Sequence, residues 1–203
     1  MKWMEIDNKL KVSKIKVFSS RDFQAITRVS EITAKFMLIR YTKKGFLRKL
    51  KRGLYISTNR TPPPWLIANQ LYKPSYLSLE SALSYYGLIP ESIFSVTSVT
   101  TKTTREFEAG DHLYIYRTIK RQAFGGYRSI EINGDPILIA EREKAVADYL
   151  YFVFLKKASL NERLSLAGIK IRKLQNYLRA FGKPGLLDWY HHDLKIPDRR
   201  VAR

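Results

Sequence analysis

The fold is decided by residues 17–57, which read VFSSRDFQAITRVSEITAKFMLIRYTKKGFLRKLKRGLYIS. Ser19 or Ser20 can cap a short helix, because a serine hydroxyl accepts a hydrogen bond from the free amides of a first helical turn. Ser30 can cap a second helix in the same way. Gly45 suits the position after that helix ends, where a positive φ is common. Two short helices in succession are therefore expected.

A β-hairpin is expected directly after the second helix, from Phe46 to Ser57. Leu47, Leu54 and Ile56 can share its inner face, and Gly53 can take the positive φ that a tight turn or a bulge requires. Two helices followed by such a hairpin form a winged helix-turn-helix, in which the hairpin is the wing.

The chain is strongly basic. It holds 37 Lys and Arg against 18 Asp and Glu, a formal net charge of +19 with a pI near 10.1. Such a charge indicates a polyanionic partner, although charge alone does not separate DNA, RNA, an acidic protein and a merely solvated surface. Six of the ten residues from Lys43 to Arg52 are basic and none is acidic, so the charge is concentrated on the expected wing.

Composition limits the class of protein. A chain of 203 residues, 45% of them hydrophobic, can form one large or two small folded domains. The absence of cysteine excludes disulfides, thiolate metal sites and a cysteine nucleophile, and it fits a reducing compartment. The N-terminus lacks the apolar region of a signal peptide, and the most apolar run, residues 145–155, is too short to span a membrane. We therefore expect a cytoplasmic protein with no membrane partner.

A domain boundary is expected near residue 62, at Thr61-Pro-Pro-Pro64, because consecutive prolines favour an extended chain. Residues 1–60 would form the winged helix-turn-helix. Residues 65–203 would form an α+β domain, with an antiparallel sheet and helices before and after it. The β-rich runs are residues 94–101, 112–118, 127–132 and 136–140, with Asn133-Gly134 as a hairpin turn between the last two. The helical runs are residues 65–72, 78–86, 141–156 and, in pieces, 160–192.

The second helix is the candidate recognition helix. On a helical wheel Ala34, Leu38 and Tyr41 face the domain, and polar residues flank that stripe. In a winged helix the exposed side of this helix enters the major groove, where hydroxyls and Arg contact bases while Lys and Arg mostly hold phosphates. The predicted DNA-binding residues of the helix and the wing are Ser30, Thr33, Lys35, Arg40, Lys43, Lys44, Arg48, Lys49, Lys51 and Arg52.

A second apolar stripe lies on the same helix, away from the core-facing side. It consists of Ile32, Phe36 and Ile39, and large apolar residues are not usually left exposed in such a row. The stripe could pack under the N-terminal helix, against the second domain or across a dimer interface. The sequence leaves these alternatives open.

Residues that could carry catalysis are better explained as structural. Glu141 and Glu143 do not have the acid-x-Lys spacing to Lys144 that a metal-dependent nuclease needs, and carboxylates suit a helix start. The rings of His191 and His192 diverge, so a zinc site is not expected. Asp148, inside an apolar helix, is expected to be a buried polar anchor or a helix-end partner and not a catalytic acid. We therefore expect no enzymatic activity, no metal and no cofactor.

The order of these segments resembles the AbiEi antitoxins of type IV, AbiE-type toxin–antitoxin systems. Residues 43–56, KKGFLRKLKRGLYI, resemble the end of the recognition helix and the wing of these antitoxins. The helix of residues 76–90 resembles the family's Ser-Ala-Leu-x-x-x-Gly-Leu segment. A Val- and Thr-rich strand follows at residues 95–101, and residues 139–148 resemble a later strand-to-helix segment. The resemblance extends over about residues 17–155.

The resemblance implies a function. Such antitoxins bind their own promoter through the N-terminal domain and repress their operon, while the C-terminal domain opposes a nucleotidyltransferase toxin. The implied partners are double-stranded operator DNA and a nucleotidyltransferase toxin whose activity the chain opposes. A homodimer is a further alternative, which the apolar stripe of the second helix leaves open. Two alternatives remain: a stand-alone regulator whose second domain senses a ligand or partner, and a nuclease using carboxylates of the second domain.

Overall fold

A computed structural model describes residues 1–91 and 94–194. The chain divides into two compact units: unit 1, Met1–Leu71, and unit 2, which begins at Tyr72. Residues 195–203, the end of the second domain expected from the sequence, lie outside the described residues.

Unit 1 contains four α-helices and a three-stranded sheet. In chain order its elements are α1 (Trp3–Ser13), β1 (Val17–Ser19), α2 (Ser20–Thr27), α3 (Glu31–Lys43), β2 (Leu47–Lys51), β3 (Leu54–Ser57) and α4 (Pro64–Leu71). The sheet has the order β1-β3-β2 and both pairings are antiparallel.

The helix α4 lies on the unit 1 side of the division, whereas the proline run suggested a boundary near residue 62. Pro64 is the first residue of α4, where the missing amide proton of proline is not needed. The run of prolines therefore starts a helix. Leu66, Ile67 and Leu71 of that helix are buried, which gives α4 an apolar side to pack within the fold.

The expected helix ends of unit 1 are present. Ser19 caps α2 in a capping box: its hydroxyl accepts from the Asp22 amide at 3.1 Å, and the Asp22 carboxylate accepts from the Ser19 amide at 2.8 Å. Ser30 caps α3 by accepting from the Thr33 amide at 3.3 Å. Gly45 follows α3 with a φ of 76°, as a residue after a helix end often does.

The core of unit 1 joins α1, α2, α3 and the first strands. Its buried residues are Ile6, Leu10, Phe18, Phe23, Ala34, Met37, Leu38, Tyr41 and Leu47. Trp3 of α1 stacks on Phe46 with ring centroids 5.0 Å apart, which ties the N-terminal helix to the start of the hairpin. The N-terminal helix thus packs on the buried side of α3.

Over residues 72–91 and 94–194, unit 2 contains four α-helices and six strands. In chain order they are β4 (Ser75–Leu77), α5 (Leu79–Tyr85), β5 (Val96–Thr100), β6 (Arg105–Ala109), β7 (His112–Thr118), β8 (Tyr127–Ile132), β9 (Asp135–Ala140), α6 (Arg142–Phe154), α7 (Ile171–Ala180) and α8 (Leu186–His192). The whole chain is therefore α+β, as the sequence predicts.

The sheet of unit 2 is mixed, where the sequence suggested an antiparallel one. Its strand order is β6-β7-β5-β4-β9-β8. The pairs β5–β7 and β4–β9 are parallel, and the other three are antiparallel. Strands β4 and β6 do not appear in the sequence-based assignment: β6 is at one edge of the sheet, and β4 lies between β5 and β9. The hairpin β8–β9 is as expected, with positive φ at Asn133 and Gly134.

The helix α6 forms the centre of the unit 2 core. It spans 13 residues, and ten of them are buried. The apolar run of residues 145–155 is accounted for by this burial. Throughout the part of the chain that the structure describes, no helix has both the length and the apolar character needed to cross a membrane.

A buried ion pair lies within α6. The Lys144 ammonium contacts the Asp148 carboxylate one turn later, and both side chains are almost fully excluded from solvent. The Ser78 hydroxyl donates to Asp148 Oδ2 at 2.7 Å, and the Tyr76 hydroxyl donates to the same atom at 3.2 Å. Burial raises the pKa of the Asp148 carboxyl, and the Lys144 ammonium opposes that shift. Asp148 is the polar anchor that the sequence predicts.

Candidate nucleic-acid interface

The positive charge is concentrated in unit 1. Its 71 residues hold sixteen Lys and Arg against four Asp and Glu, which makes +12 of the total formal charge of +19. No acidic residue occurs between Glu31 and Glu80, a stretch that includes nearly all of α3 and the whole hairpin. A polyanion would therefore meet its strongest attraction at unit 1.

The helix α3 presents one side to the core and the other to solvent. Ala34, Met37, Leu38 and Tyr41 are buried, which fixes the rotation of the helix about its axis. The predicted site residues of α3 and its end are all exposed: Thr33, Lys35, Arg40, Lys43 and Lys44. The solvent-facing side of α3, which carries the cations, is therefore the side that could contact a partner.

The hairpin exposes three of its four predicted cations. Arg48, Lys49 and Arg52 are exposed, whereas Leu50 between them is buried. The strand register shifts between Lys49 and Lys51, so the alternation of side chains along β2 is interrupted there. Arg48 and Lys49 lie on the paired strand β2, and Arg52 lies in the turn between β2 and β3.

Lys51 is placed differently from the other predicted site residues. It is half-buried, and its ammonium donates a hydrogen bond to the Leu71 carbonyl at the end of α4. A cation at a helix C-terminus neutralises the partial negative charge of the last carbonyls. This contact gives Lys51 a structural role that the sequence does not reveal.

Lys51→Ala is therefore expected to lower the free energy of unfolding by about 1 kcal/mol and to weaken DNA binding less than Arg52→Ala does. Arg52→Ala should leave stability nearly unchanged, because its side chain is exposed. Urea unfolding and DNA titration of both variants measure the difference. Equal losses of DNA affinity in the two variants, with no loss of stability in Lys51→Ala, would contradict the structural role.

Arg40 is held against an aromatic ring. Its guanidinium carbon lies 5.0 Å from the centroid of the Tyr41 ring, and its Nη2 donates to the Tyr41 hydroxyl at 3.4 Å. The Tyr41 hydroxyl itself donates to the Met1 carbonyl at 2.9 Å. These contacts restrict the rotamers of Arg40 and so reduce the entropy lost when it meets a partner.

Ser30 acts mainly as the cap of α3. Its hydroxyl accepts from the Thr33 amide and shares a hydrogen bond of 2.9 Å with the Thr33 hydroxyl. Its predicted role in DNA binding stays a prediction, and the contacts present here are those of the cap. Arg28 is an exposed cation that the sequence-based set omits, in the turn between α2 and α3. Its position two residues before Ser30, the cap of α3, could have indicated Arg28 from the sequence.

The apolar stripe of α3, which consists of Ile32, Phe36 and Ile39, is exposed. Their exposed fractions are 69%, 66% and 47%. The N-terminal helix, one of the three expected covers, packs on the opposite, buried side of α3 and leaves the stripe open. A shallow concavity of about 620 Å³ runs along this side of α3, lined by Thr33, Phe36, Met37, Ile39, Arg40, Lys43 and Lys44.

The carboxylates of unit 2 that invited comparison with a nuclease have protein partners. The Glu141 carboxylate lies 2.6 Å from both the Lys173 ammonium and the Tyr177 hydroxyl, and these contacts lower its pKa. Glu143 accepts from the Lys170 amide at 3.2 Å. Within residues 1–91 and 94–194, no group of three or more His, Cys, Asp or Glu side chains is arranged to hold a metal ion.

No protein-family model matches this sequence, and no curated protein matches it significantly.

Proposed function

We propose that the chain is a DNA-binding transcriptional regulator in which α3 enters the major groove and the hairpin β2–β3 contacts phosphates. The observation that carries this proposal is the exposure of seven cations on two adjoining elements without an intervening acid. They are Lys35, Arg40, Lys43, Lys44, Arg48, Lys49 and Arg52. Such a cluster repels itself unless an anion neutralises it.

The order of elements in unit 1 supports a winged helix-turn-helix. A helix, a short strand, two consecutive helices and a hairpin follow one another, and the short strand β1 pairs with the second hairpin strand. In that class of domain the second helix of the helix-turn-helix pair is the recognition helix. Here this helix is α3.

Double-stranded DNA is favoured over double-stranded RNA by the shape of the site. An α-helix fits the major groove of B-form DNA, which is roughly 12 Å wide. The major groove of A-form RNA is too deep and narrow for side chains to reach the bases. A helix with cations along its exposed side is therefore suited to DNA.

Different contacts by the side chains of α3 lead to a prediction. Replacing Arg40 or Thr33 with Ala should narrow the affinity gap between the preferred duplex and random duplex by about 1–3 kcal/mol, because these side-chain types contact base edges. Lys43→Ala should weaken both duplexes about equally, since a phosphate contact carries little sequence information. Fluorescence anisotropy titrations of each variant with both duplexes measure the gap. A wider gap in Arg40→Ala would contradict the assignment of that residue.

The wider role that we propose is that of an antitoxin in an AbiE-like pair, acting in the cytoplasm without catalysis. The resemblance of residues 17–155 to the AbiEi antitoxins supports this role. Unit 1 would repress the operon, and unit 2 would oppose a nucleotidyltransferase toxin. The alternative is a stand-alone regulator whose second unit senses a ligand or partner.

Co-expression tests the antitoxin role. If a nucleotidyltransferase gene adjoins the gene for this chain, its induced toxicity in a heterologous bacterium should be relieved by the full chain. A variant with Arg48, Lys49 and Arg52 replaced by Ala should still relieve toxicity while losing repression of a promoter fusion. Failure of the full chain to restore growth would favour the stand-alone regulator.

A further inference from the structure

The exposed side of α3 is unusual for a helix surrounded by cations, because its centre is apolar. Ile32, Phe36 and Ile39 occur at i, i+4 and i+7, so they form one row along the helix. The row lies opposite the buried residues Ala34 and Leu38. Any partner that approaches α3 from solvent meets this row first.

Cations border the row along its length. Lys35 lies at one edge of the exposed side, Arg40 and Lys44 lie at the other, and Lys43 continues the row at its C-terminal end. A second copy of the chain laid on this row would bring two sets of these cations together, and their repulsion opposes such a dimer. The partner that fits is an anion with apolar groups between two lines of negative charge.

The major groove of DNA has this arrangement. Phosphates line both walls, and the thymine C5-methyl is the apolar group that base pairs present on the groove floor. Resting on the DNA-binding function proposed above, we infer that Ile32, Phe36 and Ile39 contact thymine methyl groups and so select operators with thymine at the matching positions. The hydrophobic stripe and the flanking cations would then act together on a single duplex.

The remaining composition of α3 supports the same selectivity. The helix, EITAKFMLIRYTK, contains no Asn or Gln, which are the side chains that bond adenine through two hydrogen bonds. A·T pairs can therefore be recognised from this helix mainly through the thymine methyl. The shallow concavity beside Phe36 and Ile39 offers room for such groups on one flank of the row.

The test begins with selection of preferred duplexes from a randomised DNA pool by the full-length wild-type chain. Each selected thymine is then replaced by deoxyuridine, which removes the methyl group and keeps every hydrogen-bonding group. Loss of one contacted methyl is expected to weaken binding by about fourfold. Phe36→Ser should lose most of this difference at the position that it contacts.

A matched control is Phe94→Ser in unit 2, because Phe94 is also an exposed phenylalanine, with 90% of its surface in solvent. This variant should discriminate thymine from deoxyuridine as the wild type does. Analytical ultracentrifugation of the wild type and Phe36→Ser without DNA should show the same oligomeric state.

The outcomes separate this inference from the proposed function. Tight, sequence-selective binding that is insensitive to deoxyuridine would overturn the inference and leave DNA binding in place. A rise in DNA affinity in Phe36→Ser, or a change in its oligomeric state, would assign the row to a protein partner. Failure of the wild type to bind any duplex would overturn both.

Discussion

Simultaneous replacement of Arg48, Lys49 and Arg52 with Ala is expected to weaken binding to duplex DNA by roughly 10²- to 10³-fold at about 0.1 M salt. Each phosphate contact releases condensed counterions and contributes about 0.9 to the slope of log K against log salt. Loss of three contacts should therefore lower the magnitude of that slope by about 2.7. The effect should be similar on preferred and random duplexes, because these cations contact the backbone.

Titrations at four or five salt concentrations measure the slope for the wild type and the triple variant. The matched control replaces three exposed cations of unit 2, Lys120, Arg121 and Lys183, with Ala and so removes the same charge. The control variant should lower the magnitude of the slope of log K against log salt much less than the hairpin variant does. An equal loss in the two variants would mean that total charge, and not the hairpin, attracts the DNA.

The largest expected loss of stability comes from Asp148→Ala, at about 3–5 kcal/mol of unfolding free energy. The substitution leaves the ammonium of Lys144 buried without its counter-charge, with only 1% of that side chain in solvent. It also removes the acceptor of the Ser78 and Tyr76 hydroxyls. Buried donors without acceptors add to the cost of a lone buried charge.

Urea unfolding monitored by circular dichroism measures this loss. Glu162→Ala is the control, because that carboxylate is exposed, and it should change the unfolding free energy by less than about 0.5 kcal/mol. The double variant Lys144→Met, Asp148→Leu should recover much of the stability lost in Asp148→Ala, since it leaves no unpaired charge. If Asp148→Ala were as stable as the wild type, the burial of the Lys144–Asp148 ion pair would be contradicted.

Local rules explain which elements the sequence predicts. The caps at Ser19 and Ser30, the helix end at Gly45 and the turn at Asn133-Gly134 depend on a few adjacent residues, and all occur as expected. The rotation of α3 also follows from the spacing of its buried residues. The exposure of the predicted cations on α3 follows from that rotation.

Long-range pairing explains what the sequence does not predict. The short strand β4 pairs with β5 and β9, which are distant in sequence, so its three residues alone do not indicate a strand. Strand β6, in contrast, forms a local hairpin with β7 that the sequence-based assignment missed. The role of Lys51 depends on the register shift in β2 and on where α4 ends. Neither feature has a residue pattern of its own.

The absence of cysteine from the chain allows the most direct measurement of the central claim, that α3 meets DNA. Glu31→Cys introduces a single thiol in the exposed first turn of α3, and Glu108→Cys introduces one on β6 of unit 2; both remove one exposed acid. An iron chelate attached to each thiol cleaves DNA close to its tether. We predict strong, localised cleavage of the preferred duplex from position 31, with a pattern that identifies the major groove, and weaker cleavage from position 108. Strong localised cleavage from position 108, with none from position 31, would contradict the claim.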